Sequence, residues 1–138
     1  MTEEPTTPDP VELVREQLEA SNRRDLDAVM SSVAEDAVLD GRALGDHYEG
    51  RAAIRGSVEV WWRAFDDLHF EPEEVSDLGS GVVFAVVIQD GRLAGGGGRV
   101  RQREGWVYVC AGGLIACLTT NEVDEARATA ERLAGERG

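Results

Sequence analysis

Two stretches of this sequence, Val82-Val83-Phe84-Ala85-Val86-Val87-Ile88 and Trp106-Val107-Tyr108-Val109-Cys110, are apolar at every successive position. Their β-branched and aromatic residues mark them as strands, and since strand side chains alternate in direction, each presents apolar surface on both sides. An antiparallel sheet with one wet face would instead alternate apolar with polar. Both faces therefore need a cover. Helices of the same chain are expected to supply one cover, and a second copy of the chain the other, making a homodimer through the sheet face. Left open, that face would exceed the roughly few hundred Å² of contiguous apolar surface usual on a monomer.

The rest of the chain is read around these strands. Residues 1–8 hold two Pro, three Thr and two Glu without periodicity and are expected to be a disordered leader. Asp9-Pro10-Val11-Glu12 has the N-cap, N1 proline and N3 glutamate of a helix start, and Val11, Val14 and Leu18 form an apolar stripe behind it. Asp25 is placed to cap a second helix with Leu26, Val29, Met30 and Val33 at helical spacing. Ala37-Val38-Leu39 is a short strand candidate, and residues 40–50, with three Gly, read as a loop. A third helix carries Ile54, Val58, Trp61 and Phe65 on one side, flanked by Trp62. Further strands are expected over 69–78 and 114–120, on either side of the two apolar ones. Gly112-Gly113 is expected as a two-residue hairpin turn setting Cys110 opposite Ile115 and Cys117 opposite Tyr108. Asn121 is a cap for a last helix over 123–134, with 135–138 a flexible tail, and Gly95-Gly96-Gly97-Gly98 is a mobile strand connection. Residues 9–134 thus form a single α+β domain, in keeping with a length of 138 residues.

Composition removes several function classes. All 14 basic residues are Arg, so Schiff-base chemistry, amine nucleophiles and a P-loop lysine are excluded. A net charge of −13 repels phosphate backbones, and the alternating Arg99, Arg101 and Arg103 lack the density of a nucleic-acid footprint, so no nucleic acid is expected as partner. No run of about 18 apolar residues exists to span a membrane. The acidic start of the chain is unlike a secretory signal, and a cytoplasmic location is expected. Two cysteines without C-x-x-C spacing and two scattered histidines specify no metal, and no cofactor is expected.

The order helix, helix, strand, helix and four strands resembles the NTF2-like superfamily, and its SnoaL-like members in particular. The resemblance is carried by Asn22-Arg23-Arg24-Asp25-Leu26-Asp27-Ala28 at the helix-to-helix turn, Ala34-Glu35-Asp36-Ala37-Val38-Leu39 entering strand one, and Glu49-Gly50-Arg51-Ala52-Ala53-Ile54-Arg55 starting helix three. Phe65-Asp66-Asp67-Leu68-His69-Phe70-Glu71 and Gly112-Gly113-Leu114-Ile115 continue it. It implies a cystatin-like cone: three N-terminal helices packed on a curved mixed, mainly antiparallel sheet, with a C-terminal helix added. The cone's apolar interior would hold a small molecule. Superfamily members range from ketosteroid isomerase and limonene epoxide hydrolase to accessory proteins without chemistry, so fold alone leaves function open.

Compared with ketosteroid isomerase-like members, Asp40 falls at or one residue before the base position. The tyrosine position on helix one reads Gln17, however, and the second donor position reads about Gly105, so that triad is absent. An epoxide-hydrolase-like Asp-Arg-Asp relay would have Arg99 or Arg101 and Asp40 but no second Asp on the last strand. Asp40 with His47 is a candidate acid-base pair, because a carboxylate can orient an imidazole that titrates near neutral pH. Val58, Trp61, Trp62 and Phe65 from helix three and Phe84, Val86, Trp106 and Tyr108 from the sheet, with Gln17, are expected to line the cone. Three functions fit: a binder of a small, largely apolar molecule; a cofactor-independent isomerase, cyclase, dehydratase or hydrolase working through Asp40; or a sensor or interaction module whose pocket is filled.

Overall fold

The computed structural model describes residues 9–41 and 46–137. The expected leader at 1–8, the loop segment 42–45 and residue 138 lie outside these. The elements run α1 (Pro10–Asn22), α2 (Leu26–Ser31), β1 (Val33–Gly41), β2 (Asp46–Glu49), α3 (Arg51–Arg63), β3 (His69–Gly79), β4 (Val82–Arg92), β5 (Arg99–Ala111), β6 (Leu114–Asn121) and α4 (Val123–Arg137). All six strands form one sheet in the order β2-β1-β6-β5-β4-β3, antiparallel except where β1 lies parallel to β6.

Local chemistry explains the helix starts. The Asp9 side chain accepts from the Val11 N–H at 2.8 Å with Pro10 at the first helical position, and Asp25 accepts from the Ala28 N–H at 3.1 Å. Asn121 accepts from the Glu122 N–H, one residue before α4. Gly112 and Gly113, with φ of 60° and 80°, make the tight β5–β6 turn that positive φ at both central positions requires. Cys110 stands opposite Ile115 as expected, but a bulge after Val109 shifts the register, so Cys117 faces Val109 and Tyr108 faces Leu118.

Other elements depart from the sequence reading. Val33 opens β1 and does not belong to α2, and β1 reaches Gly41 where a loop was expected from Asp40. Residues 46–49 form β2, which pairs with β1 as an antiparallel hairpin despite their polar composition. Such an edge strand needs few apolar residues because one of its sides stays open. α3 ends at Arg63, and Phe65 instead bridges to Leu93 and lies over Gly91, where a Cβ would come within 2.9 Å of its ring. α4 continues through Gly135 to Arg137, across most of the expected tail.

The sheet divides the core in two. On the inner face Val83, Ala85 and Val87 of β4 and Trp106, Tyr108 and Cys110 of β5 pack with α1, α2 and α3. On the outer face Val82, Phe84, Val86 and Val107 pack against Ala126 and Ala130 of α4. The cover expected from a second copy is thus supplied by the chain's own last helix. Gly105 permits this close approach, since a Cβ there would collide with the Ala126 side chain and lie 3.0 Å from the Val123 backbone. Arg127 fastens α4 further, with its guanidinium 4.6 Å from the Phe84 ring centroid and 3.2 Å from a Glu74 carboxylate oxygen.

Candidate functional site

Three helices stand on the inner face and leave space between themselves and the sheet. α1 is tied to β3 by Asn22, whose side chain donates to the Phe70 carbonyl at 2.9 Å and accepts from the Phe70 N–H at 2.8 Å. Arg51 at the start of α3 donates twice to the Val33 carbonyl, and Arg24 donates to the Trp62 carbonyl while its guanidinium lies 5.7 Å from the Trp62 ring centroid. These bonds hold α3 as one wall of a cone with β1, β5 and β6 as the other.

The space has two parts. An inner chamber of about 90 Å³ is almost wholly apolar, with Met30, Ile54, Val58, Trp62, Trp106 and Ile115 among its walls and Gln17 and Ser21 contributing polar groups. An outer cleft of about 700 Å³ opens at the mouth between α3 and the ends of β1, β2, β4 and β5. Trp61, Leu39 and Thr120 border both, so the Trp61 indole stands where the two meet. Trp61 packs edge-on against Phe70 at 5.2 Å, Phe70 against Trp106 at 5.6 Å, and Trp106 lies 6.4 Å from Tyr108. The aromatic side chains form a continuous run from the mouth into the core.

Along β5 the inward residues change from polar to apolar with depth. Val100, Gln102 and Glu104 face the cleft, Trp106 the chamber, and Tyr108 the packed core. The Trp106 Nε1–H donates to a Glu104 carboxylate oxygen at 3.1 Å, fixing that carboxylate beside the aromatic wall. Two glutamines add polar groups without neighbours to satisfy them. Gln17 is 9% exposed in the chamber and Gln89 is 6% exposed in the cleft, and neither side-chain amide has a hydrogen-bond partner among the described residues.

Of the residues expected to line the cone, Gln17, Val58, Trp61, Trp62 and Trp106 border the chamber and Phe65 borders the cleft. Phe84 and Val86 do not line it, because they point from the opposite face of β4 into the α4 interface. Tyr108 points inward but is fully enclosed, and its hydroxyl has no partner. Burial pushes its phenol far above the ordinary value, which keeps it protonated. Tyr108→Phe is therefore expected to raise stability by about 1 kcal/mol, read as a higher melting temperature, because it removes an unsatisfied buried hydroxyl. A loss of that size would show that the hydroxyl holds an ordered partner.

Asp40 lies between Leu39 and Gly41, which border the cleft, so strand alternation turns it to the opposite face of β1. His47 stands directly across from it in the β1–β2 register, exposed and 3.2 Å from Glu49. The pair is thus adjacent but outside both spaces. Arg99 and Arg101 are on the outer face of the sheet, each paired with Asp90, and Arg103 is 2.7 Å from Glu73. The strand position read as Gly105 also faces outward, toward α4, and the inward neighbour is Glu104. Glu104 was missed, although stepping back by two from Trp106 along the strand reaches it. Cys110 is held inert near neutral pH, since burial pushes its thiol up to about 11. Among the described residues no group of three or more His, Cys, Asp or Glu could hold a metal, and no helix is long and apolar enough to cross a membrane.

A six-stranded mixed sheet wrapped by three helices around an apolar hollow is the NTF2-like cone. The chain belongs to the SnoaL-like domain family, whose model matches residues 14–118. No curated protein matches the sequence. Among solved structures it is similar to a Catenulispora acidiphila protein of ketosteroid isomerase-like fold in complex with trimethylamine, at 17% identity and TM-score 0.74, covering 91% of this chain and 94% of that one. A cystatin-fold protein from Novosphingobium aromaticivorans is similar at 19% identity and TM-score 0.74, covering 83% of this chain and 99% of its own. A Mycobacterium tuberculosis protein in complex with estradiol-17β-hemisuccinate is similar at 16% identity and TM-score 0.72, covering 82% and 93%. At these identities the likeness concerns the fold.

Proposed function

We propose that the chain is a small-molecule-binding protein whose ligand occupies the outer cleft and directs an apolar end past Trp61 toward the inner chamber. The observation that carries this reading is the open cleft of about 700 Å³, a size suited to an organic ligand, sharing Leu39, Trp61 and Thr120 with an apolar chamber and bordered by aromatic rings. Similar folds that hold trimethylamine or a steroid ester support it. An acid-base reaction in this space would have Glu104 as its carboxylate in place of Asp40, which lies on the other side of β1. Among the described residues Glu104 is bonded to the Trp106 indole and to no second acid-base group, which favours binding over chemistry.

Gly56 supplies the test. It borders the cleft from α3, and a Cβ built there meets nothing within 4 Å. Gly56→Phe should fill the cleft while leaving the fold intact, since replacing a helical glycine also removes a helix penalty of up to about 1 kcal/mol. A neutral fluorescent probe such as N-phenyl-1-naphthylamine is expected to bind the parent chain and to lose at least about tenfold in affinity in the variant, a change of about 1.4 kcal/mol. Equal affinity in a variant that melts no lower than the parent would place the probe elsewhere and overturn the reading.

A further inference from the structure

We infer that the outer cleft selects an organic cation, an alkyl- or arylalkyl-ammonium whose charged end sits at the mouth and whose apolar end points inward. This rests on the binding reading above and names the ligand class of the same site.

The charge of the walls carries the argument. Two carboxylates, Asp46 of β2 and Glu104 of β5, border the cleft, and no Arg or His is among its described lining residues. The arginines of β5 are turned to the outer face of the sheet and paired there with Asp90 and Glu73, which leaves them no part in this space. Among the described lining residues an anionic ligand would meet carboxylates and no opposite charge, and a neutral one would leave the carboxylates unanswered. Three aromatic residues, Tyr48, Trp61 and Phe65, border the same cleft, and the negative face of an aromatic ring attracts an ammonium group.

A second and independent observation points to a ligand. The Gln89 side chain is 6% exposed, borders the cleft, and has no hydrogen-bond partner among the described residues. This amide faces the open cleft with its donors and acceptor unused by the described residues, so it is available to a ligand there. Its carbonyl oxygen can accept from an N–H of a protonated amine, or lie against the polarised methyl groups of a quaternary one. The Glu104 carboxylate is already oriented by the Trp106 indole at 3.1 Å, and that bond uses one of its two oxygens, leaving the other to face a cation.

The test uses three compounds of one carbon skeleton: a phenylalkyl trimethylammonium, the corresponding phenylalkanol, and the corresponding carboxylate. Each is titrated into the intact chain and followed by tryptophan fluorescence, since Trp61 borders the cleft and Trp106 the chamber behind it. The ammonium is expected to bind at least about tenfold tighter than the alcohol and the carboxylate to bind weakest. Glu104→Gln keeps an oxygen for the Trp106 N–H while removing the charge, and it should bring the ammonium-to-alcohol ratio down toward one. Asp46→Asn, on an exposed edge strand, gives the same reading should the first variant melt early.

Equal binding of ammonium and alcohol overturns the cation assignment and leaves the cavity reading standing. Binding by none of the three overturns both. The net charge of −13 attracts cations to the whole surface. An ammonium preference that persists in Gly56→Phe therefore belongs to that general field, and overturns the assignment to the cleft. So does a preference that neither carboxylate variant reduces.

Discussion

Trp106→Ala is expected to cost about 3–5 kcal/mol, the range for removing a buried large aromatic. The side chain is 5% exposed, touches Phe70, Trp61 and Tyr108 in the aromatic run, and donates to Glu104. Its removal would leave a hole continuous with the existing chamber, which α3 and the sheet cannot close without losing the bonds from Arg51 and Arg24 to the backbone. A fall in melting temperature of about 10 °C or more should result, given how stability converts to temperature in a domain of this size. Trp106→Phe separates the causes, because it keeps a ring and loses only the indole N–H. A loss below about 1 kcal/mol in the alanine variant would mean that the inner wall is held by other residues.

Removal of residues 122–138, and with them α4, is expected to leave a chain that unfolds early or associates through the bared sheet face. Val82, Phe84, Val86 and Val107 are each at most 1% exposed under this helix. Exposing side chains of this kind costs about 1.5–3 kcal/mol apiece, and the sum rivals the whole stability of an ordinary domain. Light scattering and a thermal melt would register it as association or early unfolding, whereas an unchanged mass and melting temperature would show that α4 is dispensable. Part of the docking depends on pH. The hydrogen bond from Arg127 holds the Glu74 carboxyl below its ordinary value. Its contribution is therefore complete above the ordinary carboxylate pKa and disappears as pH falls through the lower folded value.

Several features of this fold were legible in the chain itself because they depend on neighbours in sequence. The caps at Asp9 and Asp25 and the Gly112-Gly113 turn are of this kind. That β4 and β5 are apolar on both faces was also readable. Which face meets the cone was not, because it depends on a register that bulges can shift, and Phe84 and Val86 were consequently assigned to the wrong side. The identity of the outer cover was hidden for a related reason. α4 presents mainly alanines to the sheet, so its apolar face is small and becomes intelligible only beside Gly105. Around the cleft, the aromatic residues of α3 announced themselves by helical spacing. Asp40 drew attention through its position in the chain, while Glu104, which does border the cleft, lies on a strand where the adjoining polar residues Gln102 and Arg103 point in opposite directions.

The place of β6 in the sheet bears on how the molecule is assembled during synthesis. β3, β4 and β5 follow one another as neighbours, so they can pair as soon as each is made. The β1–β2 hairpin, although made earlier, has no sheet to join until β6 arrives to lie between β1 and β5. Val33 and Ile115 meet across that parallel pairing, and the loop they close spans most of the chain, which makes it a slow contact to form. The wall of the cone that contains β1 is therefore joined to the wall that contains β5 only through β6, and the hollow between them is complete only once that strand is in place.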